Sequence, residues 1–434
     1  GASGDTVTLG SGASQSGFGR TGTVDWQTGD IKTATFTAAN GEGYFANTSG
    51  GTFTMNLPAG TAGSIVSVVD YTNTFQTNTL TIAPNGSQKI GGIAASIGLN
   101  TEGQSVTFVY VDDTEGWKNV QDSTSNVTGS QFIQASGGTI TTCGNDKIHT
   151  FTGPGTFTVC VAAVCAANNE LSYVVVAGGG GGGQNTPFGT TGAGAGGAGG
   201  YRESKSPVTP YTASPLDGRP SAPNRITVSA QAYPITVGSG GAGSPCAPGF
   251  RQGSSGANSV FSTITSAGGG GGGSGNAPSG PEYNGVSGGS GGGSSEGGTV
   301  GSGNTPPVSP PQGNNGGVGS PGTGAGGGGG AGAVGTTTSP PSSSTTGGPG
   351  GNGVASSITG SPVTRAGGGG GGGNPSGGNG GSGGGGNGAN PTLACAAGNG
   401  TDNTGGGGGG GSANDCHTGG NGGSGVVIIR YKFQ

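Results

Sequence analysis

Between residues 23 and 124 apolar and polar positions alternate in runs too short for helices. Lys32–Ala39, Gly43–Thr48, Thr52–Pro58, Ser64–Tyr71, Thr79–Ala83, Ser105–Val111 and Trp117–Val120 each show period-two alternation or a brief β-branched run. Gly, Pro and Asn separate them, and Pro84-Asn-Gly86 is a turn signal. No stretch has the apolar spacing of a helix of normal length. The pattern predicts an all-β, sandwich-like module over 23–124. Residues 1–22, where Asp5–Leu9 alternate between Gly-Ser turns, read as the end of a β-stalk.

Residues 125–138 form a polar connector, and a second β set follows within 139–434. Its predicted strands are Thr139–Thr142, Lys147–Phe151, Thr156–Val161, Glu170–Val176, the pair Arg225–Ala230 and Ala232–Val237, and Ser259–Ser266. The chain closes on Val426–Phe433, an apolar strand after a long polar stretch. Such a strand needs an earlier partner to bury it, and Glu170–Val176 is the predicted one, closing a β-platform.

Four glycine runs interrupt this half: Gly178–Gly183, Gly268–Gly273, Gly367–Gly373 and Gly405–Gly411. The first three share a preface, a short β-like segment ending in Ala177, Ala267 or Ala366. A flexible linker needs no strand leading into each run, so the recurrence points to architecture. Glycine loses more entropy on ordering than any other residue, which favours random coil. The alternative is a polyproline-II-like helix, with three residues per turn and every N–H and C=O pointing outward. Packed side by side, such helices satisfy one another's backbone groups. The expectation is a bundle of these polyglycine-II helices projecting from the platform, with the stretches between runs as exposed loops.

Composition fits this picture. The 434 residues include 114 glycines and 25 prolines, a level that otherwise flags disorder. Yet charged residues are 7% and the net charge is −5, without the high charge of common disordered chains. With 28% hydrophobic residues and few of them in the second half, backbone hydrogen bonding has to carry more of the stability there. The acidic balance and the lack of any Lys/Arg cluster argue against nucleic acid. No apolar run approaches the ~20 residues of a membrane span, so no membrane insertion is expected. Six cysteines, Cys143, Cys160, Cys165, Cys246, Cys395 and Cys416, leave the pairing open. Cys160–Cys165 is the easiest local disulfide, Cys395–Cys416 would close a glycine loop, and free thiols remain an alternative. No Cys-x-x-Cys spacing supports zinc, and no cofactor is expected.

Catalysis lacks its parts. His149 sits in an alternating strand as a packed residue, and His417 follows Cys416 in a loop. Asp112, Asp113 and Glu115 form a solvated turn without the spaced oxygens of a calcium loop. Gly285-Val-Ser-Gly-Gly289 has the letters of a nucleophile elbow without a strand before it or a helix after it. No glycine stretch carries the Gly-Lys-Ser/Thr of a phosphate loop. The expectation is a non-enzyme. Recognition favours aromatics and Arg in loops, because rings and guanidinium groups supply contact area with little entropy loss. The candidates are Phe188, Tyr211, Phe250, Arg251, Tyr283 and His417.

The first module carries Thr23-Val-Asp-Trp26, Gly41-Glu-Gly-Tyr-Phe45, Asn56-Leu-Pro58, Val68-Val-Asp-Tyr71 and Thr101–Asp112, and over residues 20–121 it resembles a module of tail-fibre and structural proteins of marine tailed phages, notably of cyanobacteria. The second half, with Lys147–Thr152, Gly155–Val159, Tyr173–Gly183 and Val426–Phe433, resembles the glycine-rich end of similar fibres. Its runs with flanking strands are also similar to the polyglycine-II domains of T-even-like tip adhesins and of the anaplastic lymphoma kinase receptor. The resemblance implies a virion-surface, extracellular fibre or adhesin segment, homotrimeric and in contact with other virion proteins. It also implies that loops between runs bind a host receptor, either a glycan or an outer-membrane protein. A purely structural virion component and a secreted receptor-like binding module are the alternatives.

Overall fold

A computed structural model describes residues 24–122, 131–185, 191–246, 249, 251–275, 280–321, 324–338, 346–391, 396–412 and 417–434. The β-stalk reading of 1–22 lies outside these residues. The chain divides into two compact units, Gly1–Ser130 and Gln131–Gln434. It is all-β, as expected. The helical elements bounded within the described residues are the 3-10 turns Ala166–Asn169, Ala222–Asn224 and Pro281–Tyr283. No helix of the described residues is long and apolar enough to cross a membrane.

The first unit is built from β1 (Asp25–Trp26), β2 (Phe36–Thr37), β3 (Glu42–Ala46), β4 (Phe53–Asn56), β5 (Ile65–Asp70), β6 (Leu80–Ala83), β7 (Ile97–Leu99), β8 (Ser105–Tyr110) and β9 (Trp117–Asp122). The first six strands alternate between two sheets, ordered β1-β3-β5-β8-β9 and β2-β4-β6-β7. Neighbours from β1 to β6 pair parallel within each sheet, and β7, β8 and β9 close them antiparallel. Alternate residues of both sheets point inward, as the period-two pattern requires. Tyr44, Val66, Val68, Phe108 and Trp117 from one sheet meet Phe53, Met55, Leu80, Ile82 and Leu99 from the other in a single buried core. The sandwich-like expectation holds. Alternation alone could not reveal the parallel pairing, and β7 and β1 were missed.

The second unit has a platform of two sheets. One is ordered β11 (Thr139–Cys143), β12 (Asp146–Phe151), β21 (Val426–Lys432), β14 (Ser172–Val176), β15 (Tyr201–Ser204). The other is ordered β10 (Gln134–Ser136), β13 (Gly155–Val161), β16 (Ala232–Thr236), β17 (Ser259–Phe261), β18 (Ile264–Ser266). Because β10 pairs with β13, residues 134–136 belong to the platform and not to the expected connector. The C-terminal strand lies antiparallel beside β14, with Val174 opposite Ile428. Every residue of β14 is buried, because Tyr173, Val175, Val427 and Ile429 face one apolar cluster while Val174, Val176, Val426 and Ile428 face another. Burial on both faces is why these two strands read as continuous apolar runs. A hairpin of β19 (Val354–Ser356) and β20 (Val363–Arg365) contributes Val354 to the second cluster. Of the predicted pair, 232–236 forms β16 whereas 225–230 makes only an isolated bridge, Thr227 with Glu170.

Strand ends continue into the glycine segments. Along Gly178–Gly183 the N–H groups donate in rotation. Gly178 and Gly181 reach Ala257 and Ser254, Gly179 and Gly182 reach Gly423 and Gly420, and Gly180 and Gly183 reach Gly197 and Gly194, at 2.8–3.0 Å. The carbonyls accept with the same rotation, from Gly269 and Gly272, from Gly241 and Ser244, and from Gly408 and Gly411. A partner that returns every third residue is the signature of a helix with three residues per turn and no internal hydrogen bonds. This run therefore lies among six neighbouring segments, antiparallel to those it donates to and parallel to those it accepts from. A Cβ on Gly181, Gly182 or Gly183 would sit 2.1, 1.9 or 2.2 Å from the carbonyl oxygen of Ala242, Gly409 or Gly273. Only glycine fits.

Many of the described stretches between runs are not the exposed loops expected from sequence. Segments 192–200, 253–257, 325–331 and 347–353 run up or down the same bundle with backbone bonds to the runs at i and i+3, and 313–319 bonds in the same rhythm to 327–330 and 291–294. At the perimeter, side-chain oxygens take over from backbone carbonyls. Asn284 Oδ1 and Ser287 Oγ accept from Thr299 and Ser302 N–H, and Asn315, Asn352 and Asn387 accept from Gly303, Ser382 and Gly380.

Candidate functional site

The run that starts where β14 ends finishes at Gln184 and Asn185, and these two fully buried amides mark the far end of the bundle, away from the platform. Gln184 N–H donates to the Arg251 carbonyl (3.5 Å), and its Nε2 donates to the Gly249 carbonyl (2.5 Å). Asn185 Nδ2 donates to the Ser412 carbonyl at 2.9 Å, and Ser412 Oγ lies 2.7 Å from His417 Nδ1. Gln252 Nε2 donates to the carbonyls of Pro281 and Asn284, both at 2.8 Å, which seats the 281–284 turn beside Arg251. The Tyr283 hydroxyl is shifted up by burial and by its hydrogen bond to Glu296, which also accepts from Thr191 Oγ1.

Three sequence candidates, Arg251, Tyr283 and His417, thus meet around the end of the central run. Arg251 is exposed, and Tyr283 and His417 are half-buried. Phe188 and Phe250 lie outside the described residues. Tyr211 does not belong to this end. It packs at the platform against the second apolar cluster, with the Arg430 guanidinium 5.3 Å over its ring, and burial drives its hydroxyl far up. That guanidinium also pairs with Asp146 (2.8 Å, both nearly inaccessible) and donates to the Ile358 carbonyl, so it pins two loops to the sheet.

The sequence reading overlooked the polar residues that end the runs: Gln184 after Gly183, Ser274 after Gly273 and Ser412 after Gly411. The signal was present, since each is the first non-glycine position after its run. Their side chains bond backbone carbonyls or neighbouring polar groups, as the ends of outward-pointing helices require.

The far end combines amides, hydroxyls, one guanidinium, the carboxylates of Glu282 and Glu296, a phenol and an imidazole. Ser412 and His417 are within hydrogen-bond reach, and the fully buried serine hydroxyl caps the end of the run. Among the described residues no group of three His, Cys, Asp or Glu side chains could hold a metal ion. Cys143, Cys160 and Cys165 are free thiols, so the local Cys160–Cys165 disulfide is not formed. Of the described cysteines Cys246 alone is not free, and Cys395 and Cys416 lie outside the described residues. His149 is a core residue of the platform. Its Nδ1 donates to the Gly137 carbonyl at 2.7 Å, and Nε2 accepts from the Tyr431 hydroxyl at 3.1 Å, with burial holding its pKa below the usual value.

A model of the glycine-rich domain family matches residues 150–432. The chain belongs to that family. The matched region takes in the bundle and the platform from the end of β12 to β21, and leaves out β10 and β11. No curated protein matches the chain.

Proposed function

We propose that this glycine-rich domain protein is a non-catalytic attachment segment, of the fibre or adhesin kind, that binds a cell-surface glycan or outer-membrane protein through the far end of its bundle. The observation that carries the reading is the gathering of Arg251, Tyr283 and His417 around Gln184 and Asn185, at the end of a bundle held mainly by backbone hydrogen bonds. Preorganised helices hold these side chains with little ordering cost on binding. A virion-surface location, a homotrimer and contacts with other virion proteins follow from the resemblance of the first unit to phage fibre modules and are part of the proposal.

The test is adsorption of the labelled full chain to a panel of intact cyanobacterial and other Gram-negative cells, alongside the variant Arg251→Ala/Tyr283→Ala. Saturable adsorption to some strains, weakened at least tenfold in the variant, is expected. Adsorption to none, or equal adsorption by both proteins, removes the far end as the attachment site.

A further inference from the structure

A furrow of about 360 Å³ runs along the flank of the bundle, between Gly240–Ala242 and Asn399–Asp402, floored by Asn421 and Gly422. The volume falls within the ~300–1,000 Å³ of small-ligand sites. Segment 419–425 bonds to 179–182, 238–244, 399–403 and 405–409, and its outward side is open. Three side chains there do two jobs. Asn421 Oδ1 accepts from Gly243 N–H (2.8 Å), Asn399 Oδ1 from Asn421 N–H (2.9 Å) and Asp402 Oδ1 from Ser424 N–H (3.0 Å). Those bonds fix each group, and among the described residues the two Nδ2 amides and Asp402 Oδ2 have no protein partner.

We propose that this furrow binds a neutral polyhydroxylated chain, a segment of polysaccharide. Two amide donors and a carboxylate acceptor, anchored from behind, match hydroxyls, which donate and accept at once. The lining has no cation to hold a phosphate or carboxylate, and nothing larger than Ala242 to hold an apolar ligand. A further glycine segment from a second copy fits less well, because the N–H groups of Gly243, Asn421 and Ser424 are already satisfied by side-chain oxygens. A second furrow is likewise lined by asparagines, without a carboxylate. Asn379, Asn387 and Asn390 stand over bare glycine backbone, and Asn387 Oδ1 accepts from Gly380 N–H at 2.8 Å.

This site shares no residue with the far end and stands or falls separately. The experiment titrates the full chain with glucan, mannan and galactan hexasaccharides by calorimetry. The decisive variant is Asn399→Asp/Asp402→Asn, which keeps both Oδ1 acceptors and so the backbone bonds while exchanging donor and acceptor facing the furrow. At least one hexasaccharide is expected to bind the wild type and to bind this variant at least tenfold more weakly. Arg251→Ala/Tyr283→Ala is titrated alongside, because sugar held at the far end would be lost in that variant and kept in the furrow variant. Unchanged hydrogen exchange at Gly178–Gly183 verifies that the furrow variant keeps its fold. Three outcomes overturn the proposal: no binding of any of the three sugars, equal binding by wild type and furrow variant, or loss only in the far-end variant. Self-association of the wild type that the furrow variant abolishes would assign the furrow to a second copy instead.

Discussion

The two units exclude water in opposite ways. In the first, two sheets interdigitate apolar side chains, and Met55, Leu57, Leu80, Ile82, Phe108 and Trp117 are fully buried between them. In the bundle there is almost no side chain to bury. Residues 178–183 are just as inaccessible, yet what surrounds them is backbone, bonded every third residue to a different neighbour. A side-chain core tolerates a missing methylene at the cost of a cavity and can partly relax around it. At positions such as Gly181–Gly183 a backbone core tolerates no added one, because the colliding atoms are carbonyls fixed by their own hydrogen bonds. The first strategy is limited by underpacking, the second by overpacking.

That contrast is tested hardest at Gly182. Its Cβ would lie 1.9 Å from the Gly409 carbonyl oxygen, so Gly182→Ala is expected to exceed the ~1–3 kcal/mol of ordinary overpacking and to abolish slow exchange in the bundle. Native-like thermal unfolding of the second unit in this variant would break the comparison. In the first unit Leu80→Ala should cost about 2–5 kcal/mol, read from its denaturant midpoint. At the platform, where side chains and backbone meet, Arg430→Met strands Asp146 in a buried site and is expected to cost about 3–5 kcal/mol by chemical denaturation.

A smaller effect is pH-dependent. The folded-state pKa of His149 lies below its ordinary 6.5, so the unfolded chain takes up a proton that the folded chain resists. Its contribution to stability is fully present above about pH 6.5 and is lost as pH falls from there through the lowered folded value. The midpoint of the second unit should drop over that window, and His149→Gln should flatten the drop. An identical pH profile in the variant would assign the dependence to other groups. The smallest effect sharpens the comparison from the other side. Gly50 and Gly153 have nothing within 4 Å of a built Cβ, so Gly50→Ala and Gly153→Ala are expected to stay within about 0.5 kcal/mol of wild type in melting experiments.

Much of this was legible in the sequence. The pairing of Glu170–Val176 with the last strand followed from the need to bury Val426–Ile429, and the pure runs announced helices of three residues per turn. What hid was the rest of the bundle. In 313–319 the letters Asn, Asn and Val look like loop, yet Gly317 donates to Gly327 while Asn315 Oδ1 caps Gly303 at the perimeter. Period three places only some positions inward, so an outer segment carries polar side chains without leaving the lattice. Tyr211 misled for the converse reason. An aromatic between prolines and polar residues reads as a loop tip, and nothing local reveals that Arg430, from the far end of the chain, stacks on it. At the far end, Arg251 and His417 meet through Gln184 and Asn185, contacts set by bundle order and invisible to any spacing rule.

The most direct test of the account is amide hydrogen exchange across Gly178–Gly183, Gly268–Gly273, Gly367–Gly373 and Gly405–Gly411. The backbone bonds predict protection approaching that of the platform strands β14 and β21, above all at Gly178–Gly183, Gly367–Gly373 and Gly405–Gly411, each bonded to six neighbouring segments. Exchange at the rate of an unfolded chain would contradict the bundle and leave the second half a tether on a β-platform.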